Sequence, residues 1–198
     1  MPDPTPGLFL TALDEHRALF DQLRALQPSV EYVASLLARS LQGGGKLMLC
    51  GNGGSAADAQ HIAAELTGRF VLDRRPLAAM ALSTDTSALT SIANDYGFDQ
   101  VFERQVQALG RVGDALVLIS TSGQSPNLLR AAQAARAAGI TTIGLLGRDG
   151  GPLCALCDGF VIVPGMVTAR IQEAHGFIGH CWCALIEQAL GLTTPRKV

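Results

Sequence analysis

Residues 50–70 read CGNGGSAADAQHIAAELTGRF. The apolar run KLMLC stops at Gly51, four small residues follow (Asn52, Gly53, Gly54 and Ser55), and a helical pattern then begins. Strand, glycine turn and helix in that order bring backbone N–H groups and the positive end of a helix dipole to one place, which suits an anionic ligand. The helix carries His61, Glu65 and Arg69 at i, i+4 and i+8, so the spacing predicts an imidazole, a carboxylate and a guanidinium on one face.

Working outward, residues 46–50, 77–82, 115–120, 142–146 and 160–163 are apolar runs separated by helical patterns. Unbroken apolar runs suit strands covered on both faces, and strands alternating with helices predict a parallel sheet. The expected fold is therefore α/β, a three-layer sandwich with a five-stranded parallel sheet flanked by helices, flavodoxin-like or Rossmann-like. Residues 8–41 add N-terminal helices, with a break expected at Pro28 and Ser29. We expect one domain over residues 1–198, with a helical part at 1–42 and an α/β core at 43–192. In such sheets ligands bind beyond the carboxyl ends of the strands. The first three strands all run there into small polar residues: GNGGS, STDT and STSGQS.

Composition excludes several classes. Of the 198 residues, 48% are hydrophobic, enough for a substantial core, and the net charge of −2 argues against a general nucleic-acid surface. No apolar run approaches the roughly 20 residues that span a bilayer. The start, MPDPTPGLFL, lacks the basic region and long apolar stretch of a signal peptide. A cytoplasmic location without membrane or nucleic-acid partners is expected. The five cysteines, Cys50, Cys154, Cys157, Cys181 and Cys183, read as reduced thiols, and a lone CxxC at Cys154 and Cys157 is weak evidence for metal or redox chemistry.

Residues 120–127, STSGQSPN, read as a phosphate cradle. Ser120, Thr121, Ser122 and Ser125 offer hydroxyls, Pro126 suits a first helical turn, and Ser125 suits the N-cap. A final helix from about Thr168 to Leu190 carries His180, Gly176 and Gly179 on the side of Gln172, away from the apolar face of Ile171, Ala174 and Ile178. Glycines inside a helix point to a close approach of another backbone or a ligand. His175 reads as a core or interface histidine, and His16 is assigned no role.

GNGGS after one strand and STSGQS after another resemble the sugar isomerase (SIS) domain. The longer segments CGNGGSAADAQHIAAELTGRF, ALSTDTSALTSIANDYGFDQVFERQVQALG, STSGQSPN and RIQEAHGFIGH resemble the phosphoheptose isomerases within it. That resemblance implies aldose–ketose isomerisation of D-sedoheptulose 7-phosphate to D-glycero-D-manno-heptose 7-phosphate through an enediol, for ADP- or GDP-heptose biosynthesis. It implies a homotetramer with active sites at subunit interfaces and one zinc per subunit, held by His61, Glu65, Gln172 and His180. It also implies substrate contacts from Asn52, Gly53, Gly54, Ser55, Glu65, Arg69, Asn94, Asp95 and Gln172 beside the cradle hydroxyls. Glu65 is expected to take the carbon-bound proton and His180 to serve the oxygens, since isomerisation needs a base at carbon and an acid at the carbonyl oxygen. Gln172 strains the ligand set, because eight residues separate it from His180, about 12 Å of helix. Ala169 stands where some members have an acidic residue. The rival expectation is a non-enzymatic SIS-domain regulator that binds the replication initiator protein. Those regulators lack the Glu and His combination that Glu65 and His180 supply here. Sugar-sensing transcription regulators place a helix-turn-helix domain before the sugar-binding one, and the residues preceding the first strand are too few and too acidic for that.

Overall fold

The computed structural model describes residues 7–193. The first six residues of the MPDPTPGLFL stretch and the last five of the expected 1–198 domain lie outside the described residues. The chain runs α1 (Leu8–Gln22), a 3-10 turn (Leu23–Leu26), α2 (Gln27–Gln42), β1 (Leu47–Gly51), α3 (Gly54–Thr67), β2 (Ala79–Ala81), α4 (Thr86–Tyr96) and α5 (Glu103–Leu109). It continues through β3 (Ala115–Ser120), α6 (Pro126–Ala137), β4 (Thr141–Gly147), β5 (Gly159–Val163) and α7 (Thr168–Ala189).

All five strands are parallel, in the order β2-β1-β3-β4-β5. Period-two alternation sorts their side chains into two cores. Leu47, Leu49, Ala115, Val117, Ile143 and Leu145 face α2, α3 and α7. Met48, Cys50, Leu116, Leu118 and Leu146 face α5 and α6. The helices leave β1 and β3 toward opposite faces, so the crevice between those two strands is the switch point of the sheet, where open α/β sheets bind ligands.

Several expectations shift in detail. The break in the N-terminal helices falls at the 3-10 turn Leu23–Leu26, and Pro28 sits in the first turn of α2, where its missing N–H costs nothing. The second strand is shorter than its apolar run, with only Ala79–Ala81 paired. The helix after β1 ends at Thr67 with Gly68 as its cap, so Arg69 lies beyond it and the expected third member of the helical face is absent. On α7, Gly179 and Cys183 are as buried as the apolar face, because α3 covers a second side of that helix. A Cβ at Gly179 would collide with Ile62, which explains that glycine, whereas Gly176 faces open space. No helix among the described residues is long and apolar enough to cross a membrane.

Candidate functional site

The loops after β1 and β3 meet at the switch point. They line a cavity of about 290 Å3 with Asn52, Gly53, Gly54, Ser55, Ser120, Thr121, Ser122 and Ser125, closed from one side by Thr168 and Gln172. Three helices begin at its wall: α3 at Gly54, α6 at Pro126 and α7 at Thr168. Each adds unpaired N–H groups and the positive end of its dipole. No Lys or Arg lines the cavity. An anion there would be held by backbone and hydroxyl groups, the device by which helix N-termini bind phosphate.

The loops are built for this shape. Gly53 adopts φ +56 and Gly123 φ +64, both in the left-handed region. A Cβ on Gly123 would overlap the carbonyl of Gly150, so the segment after β4 presses directly on the STSG backbone. Ser120 Oγ accepts from Gly123 N at 2.9 Å and Ser122 Oγ accepts from Gln124 N at 3.3 Å, leaving both hydroxyl protons to donate to a ligand. Ser125 occupies the N-cap position, but its hydroxyl makes no capping bond. Asn52 lines the cavity and is also paired with Asn127. Their amides exchange two hydrogen bonds, at 3.0 and 2.9 Å, that tie the β1 loop to the first turn of α6. Asn127 closes the STSGQSPN segment, where no local pattern signals this pairing.

A second cluster lies along α3. His61 Nε2 is 2.8 Å from His180 Nε2, and Glu65 Oε1 is 3.7 Å from His61 Nε2. Donor atoms of the three residues lie within 4.8 Å of one another, so they form a possible metal-binding triad. Two imidazoles and a carboxylate suit zinc, and His61 is exposed, which leaves one side of the cluster open. Phe70 packs on the His180 ring with centroids 5.5 Å apart. Its place just past the helix gave no sequence signal for that contact. Asp58, one turn before His61 on α3, has a buried carboxylate oxygen without a partner, and burial raises its pKa against the opposing pull of His61.

Within one chain the cradle and the triad are separate. Glu65 lies almost three turns beyond Ser55, about 15 Å along the helix axis. The Gln172 amide rests against Gly54 at the start of α3, in the cavity and away from the triad. Asn94 and Asp95 sit exposed in the last turn of α4, hydrogen-bonded to each other at 2.8 Å, and Gly97 ends that helix at φ +91. Arg69 is exposed and donates to Val71 O.

The remaining groups have structural duties. His175 is fully buried and donates from Nε2 to Leu146 O at 3.0 Å; burial lowers its pKa to about 4. His16 stacks on Phe20 and pairs with Glu173. All five cysteines are free. Burial pushes the Cys157 thiol up to about 12, so the CxxC holds no ready thiolate.

The chain is similar to known proteins over most of its length. The sequence pattern of the family described as "SIS domain" matches residues 13–147. A phosphoheptose isomerase from Nitratiruptor is 54% identical over 176 residues, covering 88% of this chain and 94% of that protein. One from Rhodospirillum rubrum is 52% identical over 171 residues, covering 86% and 91%. The solved phosphoheptose isomerase GmhA from Neisseria gonorrhoeae superposes with a TM-score of 0.81 at 48% identity, covering 91% of this chain and 95% of that one.

Proposed function

The chain belongs to the phosphoheptose isomerases of the SIS-domain family, and we propose that it converts D-sedoheptulose 7-phosphate to D-glycero-D-manno-heptose 7-phosphate for ADP- or GDP-heptose biosynthesis. The observation that carries this reading is the cavity at the switch point, walled by three helix N-termini and hydroxyls and free of basic side chains. It suits a phosphate monoester on an otherwise neutral, hydroxyl-rich molecule.

The phosphate sits against Ser120, Thr121, Ser122 and Ser125, with Ser55 and the amides of Gly53 and Gly54 facing it across the cavity. Asn52 holds the β1 loop through Asn127, and Gln172 reaches sugar hydroxyls from the floor formed with Gly54. The Glu65 carboxylate removes a proton from C1 and returns it at C2, and His180 carries the proton between O1 and O2, passing through the enediol. His61, Glu65 and His180 would hold zinc, one per subunit, and when bound it supplies Lewis-acid polarisation of the substrate carbonyl.

One chain does not bring the two halves together, and this supports a composite site. The working form is a homotetramer in the cytoplasm, with active sites at subunit interfaces. There the cradle of one subunit faces the triad of another. Asn94, Asp95, Arg69 and the exposed Tyr96 and Phe98 belong to these interfaces, and Gln172 joins the zinc ligands only across one of them.

Incubation with D-sedoheptulose 7-phosphate in deuterated water, followed by NMR, tests the reading. The aldose product should accumulate with deuterium at C2. Unchanged substrate without exchange at C1 would overturn it.

A further inference from the structure

Arg74 is buried at 5% exposure and stands outside both the cradle and the triad. Every nitrogen of its guanidinium donates, to α3, to α7 and to the loop that follows α3. Nη2 donates to the backbone carbonyl of Glu65 at 2.7 Å. Nη1 donates to Leu66 O at 2.7 Å, with Gly68 O and Arg75 O at 3.0 Å. Nε donates at 2.8 Å to Glu187 Oε1, a carboxylate itself only 4% exposed.

Glu65 O and Leu66 O lie in the last turn of α3, where carbonyls have no following helical N–H to accept from, and Leu66 O also accepts from Leu77 N at 3.0 Å. The last turn of α3 contains Glu65, so the turn that carries the carboxylate of the triad is held by Arg74. The other end of the clamp is on the helix of His180. Glu187 lies seven residues after His180, two turns along α7 and on nearly the same face. The ion pair thus fixes α3 against α7 just beyond the point where His61 and Glu65 meet His180. Together with the backbone bonds from Leu77 N to Leu66 O and from Gly68 N to Ala64 O, the guanidinium keeps the α3 terminus from fraying at exposed Gly68, and with it holds the spacing of the three donors.

We propose that Arg74, through Glu187, is a positioning residue for the Glu65–His61–His180 cluster, setting the separation and rotation of the two helices that bear it. Catalytic and metal-binding groups must be held to within about half an ångström by the residues behind them. A buried arginine that bonds both the carbonyl of one cluster residue and the helix of another meets that requirement. A lysine would not, since its single ammonium cannot serve Glu187 and two helix carbonyls in the planar fork that Arg74 uses. The inference rests on the reading of the triad as the catalytic cluster.

The test compares Arg74→Lys and the double variant Arg74→Met/Glu187→Leu with the wild-type chain. The double variant removes both charges together, so it leaves no buried ion unpaired and keeps a folded protein in hand. Three readouts are taken: zinc affinity by chelator competition, affinity for inorganic phosphate, and the kcat–KM split with sedoheptulose 7-phosphate. Both variants should lose about 10- to 100-fold in zinc affinity and in kcat, as supporting residues behind metal ligands do. Phosphate affinity and KM should stay within about threefold, because the cradle lies at the other end of α3. Zinc affinity and kcat within twofold of wild type in a folded double variant would overturn the inference, as would a parallel loss of phosphate affinity, which would mark a general loosening of the fold. If the wild type binds no zinc, the kcat–KM split decides alone. A wild-type chain without turnover refutes the isomerase reading instead, and the zinc titration still reports whether Arg74 positions the cluster.

Discussion

His61 Nε2 and His180 Nε2 face each other at 2.8 Å, although 119 residues of chain separate them. Glu65, one turn along α3 from His61, completes the cluster.

Glu65→Gln and His180→Gln remove the proposed base and proton carrier without changing shape much. Each should lower kcat by about 10²- to 10⁴-fold with a smaller effect on KM. Steady-state turnover of sedoheptulose 7-phosphate reads this directly, and near-wild-type rates in either variant would sink the assignment.

Mixing two inactive variants tests the composite site. A Glu65→Gln chain keeps an intact cradle, and a chain altered at Ser55, Ser122 and Ser125 to alanine keeps an intact triad. If each site joins the cradle of one subunit to the triad of another, co-refolded mixtures should regain activity that neither parent shows. No recovery in verified hetero-oligomers would mean that each subunit works alone.

Gly123→Ala places a Cβ on the Gly150 carbonyl at a φ of +64. The STSG loop must shift to accept it, so phosphate affinity should fall while zinc affinity holds. Calorimetric titration with inorganic phosphate measures the first quantity and chelator competition the second. Wild-type phosphate affinity would show that the loop backbone plays no part in the cradle.

Asn127→Ala leaves the Asn52 amide without its reciprocal partner. The loss of two hydrogen bonds in a partly buried place should cost about 1–3 kcal/mol, read from denaturant unfolding. Asn52→Ala/Asn127→Ala should cost less than the two single changes summed, because the pair acts as one unit.

His175 gives the stability a defined acid limb. Its folded pKa of about 4 lies below the ordinary 6.5, so the unfolded chain binds the extra proton first. The neutral buried ring therefore contributes fully above pH 6.5, and the contribution drains away as pH falls toward 4. The full drop is about 3 kcal/mol by linkage. Unfolding free energies for wild type and His175→Gln between pH 7 and 4 should differ in slope over that window. Parallel curves would show that this histidine is not the source.

Much of this was written in local sequence. Apolar runs without alternation demanded strands buried on both faces, and GNGGS and STSGQS at their ends marked the two loops that line the cavity, because strand ends and helix starts are short-range features. His61 and Glu65 shared a face because they are one turn apart. Arg69 failed the same rule, since the pattern does not say that Gly68 ends the helix one residue earlier. What pairs across the fold was not legible. Asn127 belonged to a recognisable segment, yet its bond to Asn52 depends on β1 and β3 being neighbours in the sheet. Arg74 is one of two adjacent arginines after α3, and only the packing of α3 on α7 buries it against Glu187. The sequence by itself determined the strands, the glycine turns and which helices bear His61, Glu65 and His180, because those follow from periodicity and backbone conformation. Tertiary structure alone decided that Gln172 lies with Gly54 while His180 lies with His61. The register between two helices distant in sequence is set by side-chain packing, which no local pattern encodes.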